Sequence, residues 1–270
     1  MIWEIILGGE FVHIKASRSP ERMSSKFKIK GQICHAKISE DEVQQMYDSE
    51  NVEPVYWKEG NHHNVCRNAF FGYGACQKNL EVDLLRSCRQ IYNEAQRIPY
   101  TSNTFSFNNP DRLKDFIHFL SESGNSHNLS MRKLHLAMRD TYATLKTKWH
   151  ATIRLAVQQL KHLQQVNFNL YLSMGLLESS NKRPELYGNG QRILSEYKIT
   201  SAIEEMQKLP LQRATCVIYD TWFESIDRIN DDHFCCSLAD QKKFASIVKE
   251  YILRSSTQRE IANTGSKVRS

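Results

Sequence analysis

The sequence predicts an α/β fold in which an N-terminal β-hairpin cap precedes a short strand–helix array with a mostly parallel sheet. Three observations support this prediction. Two early segments alternate apolar and polar residues, as half-buried strands do. A short strand template then recurs four times, and amphipathic helical segments lie between its copies. Parallel strands need such helical crossovers, because each chain must return to the same end of the sheet before the next strand begins.

The β-hairpin is predicted from two strands, Glu10–Lys15 and Lys26–Lys30, the second of which continues to Ile33. A polar loop with Pro20 and several serines joins them, so we expect antiparallel pairing.

A helix follows the predicted hairpin. Ser39 and Glu42 match a capping box, which predicts a short helix to about Tyr47. Residues 48–80 have no periodicity and hold many Gly, Asn and His residues, which predicts a long irregular loop.

The later helices are predicted from apolar residues at helical spacing. Asn109 and Pro110 supply an N-cap and a first-turn proline for one helix, and Ser201 with Glu204 forms a second capping box that opens a helix through Met206. Cys88 and Cys216 lie in apolar-periodic segments and are predicted to be buried. The other predicted helical faces are Leu84, Cys88, Ile91, Tyr92 and Ala95; Leu113, Phe116, Ile117 and Leu120; Trp149, Ile153, Ala156, Val157 and Leu160; and Phe244, Ile247, Val248, Tyr251 and Ile252.

The strand template is one apolar residue, two free positions and then three alternating inward residues. Its copies begin at Tyr100, Met131, Leu163 and Leu211, and the last offset is longer because of a polar insertion at about 179–191. The spacing favours a leucine-rich-repeat-like array, in which the inward residues face a helix layer. An ordinary α/β sandwich with parallel strands remains the alternative, because the template is degenerate.

The chain divides into four segments. Residues 1–47 hold the hairpin and the short helix, 48–80 the irregular loop, 81–253 the repeat-like α/β unit, and 254–270 a flexible tail. We expect residues 1–253 to form one composite domain. The 270-residue chain is 40% hydrophobic, which excludes a disordered protein, and no apolar run is long enough to span a bilayer.

Charge and cysteine content bear on partners and compartment. The net charge of +6 arises mainly from two basic stretches, 15–30 and 131–165. They alternate with apolar residues as solvated faces do, so nucleic-acid binding is the weaker interpretation. Seven cysteines without a secretion signal predict free thiols and an intracellular protein, cytoplasmic or nuclear.

The sequence shows no catalytic motif. His62, His63, Cys66 and Cys76 lack the paired spacing of a structural zinc site. Two bare Gly-x-Gly sequences, at 72–74 and 188–190, and the His233–Cys236 segment are also weak signals. We therefore predict no catalytic, cofactor-binding or metal-binding residues and no cofactor.

Two passages of the sequence are more specific than its periodicity. The first is the Ile-Trp-Glu-Ile-Ile-Leu-Gly-Gly run within Met1–Ile14; the second is Leu-Leu-Arg-Ser-Cys-Arg-Gln-Ile-Tyr-Asn-Glu-Ala at 84–95, followed by Tyr100–Phe107. Both resemble uncharacterised filamentous-fungal proteins, a domain of unknown function with an F-box-like N-terminal segment. The Leu-Pro start of the F-box-like motif is missing here, so the resemblance implies that the first half of that motif is absent.

The resemblance implies a set of contact and signature residues. An F-box binds the Skp adaptor of a ubiquitin ligase. The resemblance therefore implies this adaptor as a partner of full-length family members, and implies it less strongly for this chain, which lacks the first half of the motif. The expected partner contacts are Ile2, Trp3, Ile6 and Leu7. The signature residues, expected to be structural, are Leu85, Arg86, Cys88, Arg89, Gln90, Ile91, Tyr92, Glu94, Ala95, Asn103, Phe105 and Phe107.

These observations favour a non-enzymatic protein-interaction or adaptor module that has a protein partner and no membrane association. Such a module would hold its partner on an open sheet face or on loops. The alternatives are an enzyme of unrecognised type, or a nucleic-acid-binding protein that uses the two basic stretches.

Overall fold

A computed structural model describes nine parts of the chain: residues 2–17, 28–34, 39–49, 82–122, 130–139, 148–172, 200–220, 239 and 241–253. Six strands lie within these ranges: β1 Phe11–Ser17, β2 Lys28–Ile33, β3 Thr104–Phe107, β4 Lys133–Arg139, β5 Gln165–Leu172 and β6 Arg213–Asp220. The helices are α1 Ile2–Leu7, α2 Glu40–Asp48, a 3-10 helix Val82–Arg86, α3 Arg89–Ala95, α4 Ile98–Ser102, α5 Pro110–Glu122, α6 His150–Gln159, α7 Thr200–Met206 and α8 at 241–253.

The six strands form one sheet in the order β2-β1-β3-β4-β5-β6. Strands β1 and β2 pair antiparallel, and every other neighbouring pair is parallel. The predicted α/β class with a mostly parallel sheet is therefore confirmed. Strand β1 lies between β2 and β3, so the first strands belong to the same sheet as the later array. Residues 18–27, which connect β1 and β2, lie outside the described part of the chain.

Three of the four template copies pair in register with one another. Leu134, Val166 and Ala214 occupy the same template position and are partners across β4, β5 and β6. The first copy is displaced by two residues, because Phe105 and not Asn103 lies opposite Leu134. Asn103 ends helix α4, and its side chain forms hydrogen bonds with main-chain groups. Strand β3 therefore begins one residue later, at Thr104. The leucine-rich-repeat-like character of the array stays a prediction.

One face of the sheet packs against a helix layer. The Phe116 ring on α5 lies 5.6 Å from Phe105 and 5.4 Å from Phe107, measured between ring centroids. Helices α6, α7 and α8 contribute Ile153, Ile203 and Val248 to the same core. Burying a Val, Leu, Ile, Phe or Met side chain stabilises a fold by about 1.5–3 kcal/mol. The inward template residues of β4, β5 and β6 are buried in this core: Leu134, Leu136, Met138, Val166, Phe168, Leu170, Ala214, Cys216 and Ile218.

Local sequence signals set the starts of helices α2 and α5. Ser39 Oγ accepts a hydrogen bond from the Glu42 N–H, and the Glu42 carboxylate accepts one from the Ser39 N–H, which confirms the predicted capping box. Asn109 Oδ1 accepts a hydrogen bond from the Asp111 N–H, just before Pro110 begins α5. The second predicted cap is wrong, because α7 already begins at Thr200 and Ser201 lies inside it.

The segment around Cys88 departs from the predicted single helix. A 3-10 helix ends at Arg86, and Ser87 turns the chain, donating its N–H and its hydroxyl to the Leu84 carbonyl oxygen. Cys88 is exposed and caps α3 by accepting a hydrogen bond at Sγ from the Ile91 N–H. The prediction that Cys88 is buried is therefore wrong, whereas burial of Cys216 is confirmed. A thiol can act as a cap, and periodicity does not detect that role.

Helix α2 protects the outer edge of the sheet. The Gln44 side-chain oxygen accepts a hydrogen bond from the Cys216 N–H at 2.8 Å, on the last strand. Asp41 of the same helix forms an ion pair with Arg213 at 2.9 Å. An exposed strand edge can pair with another chain. The Gln44 side chain occupies the Cys216 N–H, a donor on β6 that would take part in such pairing.

Several sequence predictions fall outside the described residues. These are the irregular loop with His62, His63, Cys66 and Cys76, the insertion at 179–191, the segment with His233 to Cys236, and the tail at 254–270. Both Gly-x-Gly sequences also lie there. Among the described helices, none has the length and apolar character required to cross a membrane.

Candidate functional site

Helix α1 and the segments that lead into the parallel strands share one end of the sheet, which we call the amino edge. Helices α1 and α4 come directly before β1 and β3, and residues 130–132, 161–164 and 209–212 come directly before β4, β5 and β6. Because these five strands are parallel, all of these segments lie at the same edge.

Two glycines fix helix α1 against α4. The Gly8 N–H donates to the Glu4 carbonyl oxygen at 3.0 Å and closes the helix. A Cβ at position 8 would lie 2.7 Å from Ser102 Cβ and 2.9 Å from that same carbonyl oxygen, so only glycine fits. Gly9 has a φ of 78°, the left-handed conformation that commonly ends helices.

Asn103 joins α1, α4 and β1 from a fully buried position. Its Nδ2 donates to the carbonyl oxygens of Leu7 at 2.7 Å and Pro99 at 3.0 Å, and its Oδ1 accepts from the Glu10 N–H at 2.7 Å. The Leu7 carbonyl belongs to the last turn of α1, where helix carbonyls lack helical partners. The three hydrogen bonds therefore hold α1 in one place on the amino edge.

A surface contact also links α1 to α3. Trp3 Nε1 donates to the Glu94 carboxylate at 3.2 Å, and Gln90 Nε2 donates to its other oxygen at 3.0 Å. Both hydrogen bonds lower the pKa of Glu94 from its ordinary value, and the one from Gln90 has the larger effect. The contact joins the two passages that carry the family resemblance, since Trp3 belongs to the first and Glu94 to the second.

The outer side of α1 is apolar. Ile2, Ile5 and Ile6 are 68%, 82% and 42% exposed, and we call them the isoleucine face. Among the contacts expected from the resemblance, Ile2 and Ile6 belong to this face, Trp3 is half-buried and Leu7 is fully buried. Leu7 is therefore closed to a partner. Ile5, the most exposed of the three, was not singled out, although i, i+3, i+4 spacing with Ile2 and Ile6 identifies it.

The signature residues divide between core and surface. Ala95, Asn103, Phe105 and Phe107 are buried. Leu85 and Ile91 are half-buried. The exposed members are Arg86, Cys88, Arg89, Gln90, Tyr92 and Glu94.

A polar groove crosses the amino edge. It consists of two adjoining cavities of about 320 and 500 Å³ that share Thr101, Arg132, Gln164 and Gln212 as lining residues, and we call it the amino-edge groove. Glu4 and Gly9 line the larger cavity, so α1 forms part of its wall. The helix that carries the isoleucine face therefore also borders the groove, through a different side.

The charge in the groove is mostly positive. Arg97, Arg132 and Lys161 line the smaller cavity, and no Asp or Glu is among its described lining residues. In the larger cavity, Lys133 donates to the Ser102 carbonyl oxygen at 3.4 Å, and Arg213 is held by Asp41. The basic stretch 131–165 thus contributes to this groove, whereas most of the stretch 15–30 lies outside the residues whose side chains are described.

A row of polar residues runs across the opposite sheet face, away from the main helix layer. Pairing in register places Gln32, His13, Ser106, His135, Asn167 and Thr215 in one line, one from each strand. Thr215 Oγ1 donates to Asn167 Oδ1 at 3.0 Å. The expectation of an open sheet face is wrong at this row, because all members except His13 are buried. Alternating polar residues along a strand are typical of a solvent-exposed face. The sequence pattern does not show that other parts of the protein bury this face.

Two members of the row, Ser106 and His135, come together with the carboxylate of Glu40 on helix α2. Ser106 Oγ lies 2.9 Å from His135 Nδ1, and Glu40 Oε2 lies 3.9 Å from His135 Nε2. The imidazole can therefore exchange a proton with the hydroxyl and attract the carboxylate when charged. Ser106 is only 5% exposed and lies in the middle of a strand, which favours a buried structural network over a nucleophile open to substrate.

The architecture defines the class of this protein: an α/β domain whose described surface offers a cationic groove and, on a helix that borders this groove, an apolar face. Its described residues contain no group of three His, Cys, Asp or Glu side chains that could hold a metal ion.

Residues 1–186 match a family described as a domain of unknown function, DUF7730, and the chain belongs to this family. No curated protein and no solved structure matches the chain.

Proposed function

We propose that this domain is a non-enzymatic protein-interaction module that docks a protein partner on the isoleucine face. The exposure of Ile2, Ile5 and Ile6 on one short helix carries the proposal. Large apolar side chains grouped on a surface mark interaction sites more often than scattered ones do. Their i, i+3, i+4 spacing is the pattern by which a helix inserts into an apolar groove of its partner.

The rigidity of α1 supports this role. Asn103, Gly8 and the Trp3–Glu94 hydrogen bond hold the helix before any partner arrives. A helix already fixed in its bound position loses less conformational entropy on association, which favours affinity. The module would act inside the cell, in the cytoplasm or nucleus, in keeping with the free thiols of Cys34, Cys88 and Cys216.

The F-box-like resemblance of Met1–Ile14 suggests a particular partner, the Skp-type adaptor of a ubiquitin ligase. The test is a calorimetric titration of the purified adaptor into the full chain and into two variants. Ile5→Asp places a charge in the centre of the isoleucine face and should reduce affinity at least about tenfold, since it leaves a buried charge unpaired. Phe119→Asp on α5 is the matched control, because Phe119 is also exposed and apolar, and it should leave affinity unchanged.

Two results would count against the proposal. Absence of adaptor binding removes the ubiquitin-ligase assignment. Binding that Ile5→Asp and Phe119→Asp weaken equally shows that α1 is not the docking surface.

A further inference from the structure

We propose that the amino-edge groove binds an extended anionic peptide segment. The proposal rests on the proposed function, because the segment would belong to the partner docked on α1. The chemistry recognised is a run of carboxylate or phosphate groups on a peptide, and the groove is the site for it.

The lining of the groove follows from the strand template. The two free positions of copies two to four are Arg132 with Lys133, Gln164 with Gln165, and Gln212 with Arg213, and all six line the groove. Since β4, β5 and β6 lie in register, these pairs succeed one another at about 4.8 Å across the sheet edge. A ligand that crosses the strands therefore meets a polar pair at regular intervals.

Main-chain hydrogen bonds fix this arrangement. The N–H groups of Gln164 and Gln165 both donate to the Arg132 carbonyl oxygen at 2.9 Å. The N–H groups of Gln212 and Arg213 donate to the Gln164 carbonyl oxygen at 2.8 and 3.1 Å. The side chains thus project from a backbone that is already ordered, which lowers the entropy lost when a ligand binds.

The positive charge of the smaller cavity favours an anion. Arg132 and Lys161 both line this cavity, and its described lining contains no carboxylate. Like charges held together repel one another, and a bound anion relieves that repulsion. Arg132 and Lys161 are exposed, and a guanidinium can bind carboxylate or phosphate through two parallel hydrogen bonds.

The neutral lining favours a peptide over a nucleic acid. The glutamine side chains each offer a donor and an acceptor, which match the N–H and C=O groups of an extended peptide. No Phe, Tyr or Trp is among the described lining residues, so the stacking platform on which single-stranded bases bind is not found there. Both cavities fall in the size range of ligand clefts, which exceeds a single anion.

The position of the groove connects it to the docking helix. Glu4 lies on α1 between the isoleucines and lines the larger cavity. At 3.6 residues per turn, Glu4 lies about 100–160° around the helix axis from each of the three isoleucines. A partner seated on the isoleucine face therefore reaches the groove by passing around α1 itself.

The experiment measures fluorescence anisotropy of labelled ten-residue peptides with the full chain at low and high salt. One peptide is Glu-rich, a second carries phosphoserines in place of some glutamates, and a third has Gln in place of every Glu. A single-stranded oligonucleotide of matching charge is the fourth probe. We expect one or both anionic peptides to bind, more weakly at high salt, and the neutral peptide to bind at least about tenfold more weakly. The tighter anionic peptide shows whether carboxylate or phosphate is the preferred group.

The variants locate the site. Arg132→Glu combined with Lys161→Glu should weaken binding of the anionic peptide at least about tenfold. Arg154→Glu, at an exposed position on α6, is the control with the same type of charge change and should alter affinity less than about twofold.

Three results overturn the proposal: neither anionic peptide binds, the Arg132/Lys161 variant binds as well as the control variant, or the oligonucleotide binds more tightly than both peptides. Ile5→Asp should leave peptide binding unchanged, because these peptides need only the groove. Failure of the groove is therefore distinguishable from failure of adaptor docking on α1.

Discussion

Replacing Asn103 with alanine should strongly destabilise the domain, because one buried side chain supplies three hydrogen bonds to the main chain. Each such bond contributes about 1 kcal/mol net, and a buried carbonyl left unpaired costs about 1–3 kcal/mol. The carbonyl oxygens of Leu7 and Pro99 would both lose this partner. We expect Asn103→Ala to lower the free energy of unfolding by about 3–5 kcal/mol, a large fraction of the total stability of a typical domain.

The assay is urea unfolding followed by far-ultraviolet circular dichroism. Asn103→Asp keeps the shape and the acceptor but turns an oxygen toward two carbonyls, so it should destabilise at least as much as alanine. Asn108→Ala is the control, because the exposed Asn108 side chain only accepts a hydrogen bond from Arg112, and it should cost less than about 0.5 kcal/mol. A loss below about 1 kcal/mol for Asn103→Ala would refute the reasoning.

Three further predictions concern α1, α2 and the core. Gly8→Ala should lower the free energy of unfolding by about 1–3 kcal/mol, measured by urea unfolding, because its Cβ would collide with Ser102 and a carbonyl oxygen; an unchanged midpoint would contradict this. The main-chain N–H and the hydroxyl of Ser39 donate to the Glu42 carboxylate and lower its pKa below the ordinary 4.5. The ionised carboxylate therefore stabilises α2 fully above pH 4.5, and this stabilisation is lost as the pH falls through the lowered pKa. Hydrogen exchange in α2, corrected for intrinsic rates, should show this loss in the native chain and not in Glu42→Gln. Leu136→Ala should cost about 2–5 kcal/mol in urea unfolding, since Leu136 is fully buried in the sheet, whereas Phe119→Ala should cost less than about 1 kcal/mol.

Local patterns predict the elements whose causes are local. The inward residues of β4, β5 and β6 follow from alternation, and the capping box at Ser39 follows from four consecutive residues. Asn103 is different, because the template assigns this polar residue to the first inward position of the first copy. Its partners Leu7 and Glu10 are 96 and 93 residues away, so no window of sequence contains the reason for its burial.

Only part of the candidate site was predictable from the sequence. The template leaves two positions free before each strand, and Arg132, Gln164 and Gln212 at these positions reach the groove. Their juxtaposition with Glu4 depends on the parallel pairing of β1 with β3, which periodicity does not specify. Likewise, Ser106, His135 and Glu40 lie on three separate elements. Strand register brings Ser106 beside His135, and the packing of helix α2 against the sheet brings Glu40 to them.

The hydrogen bond from the Cys216 N–H to Gln44 has a consequence for the order of biosynthesis. Helix α2 leaves the ribosome early, but its partner on β6 follows 172 residues later. Until then the growing sheet presents a bare strand edge to other nascent chains, and joining the two segments requires closing a very long loop. Slow translation of the last third of the chain should therefore increase misassembly, and a chaperone that shields strand edges should relieve it.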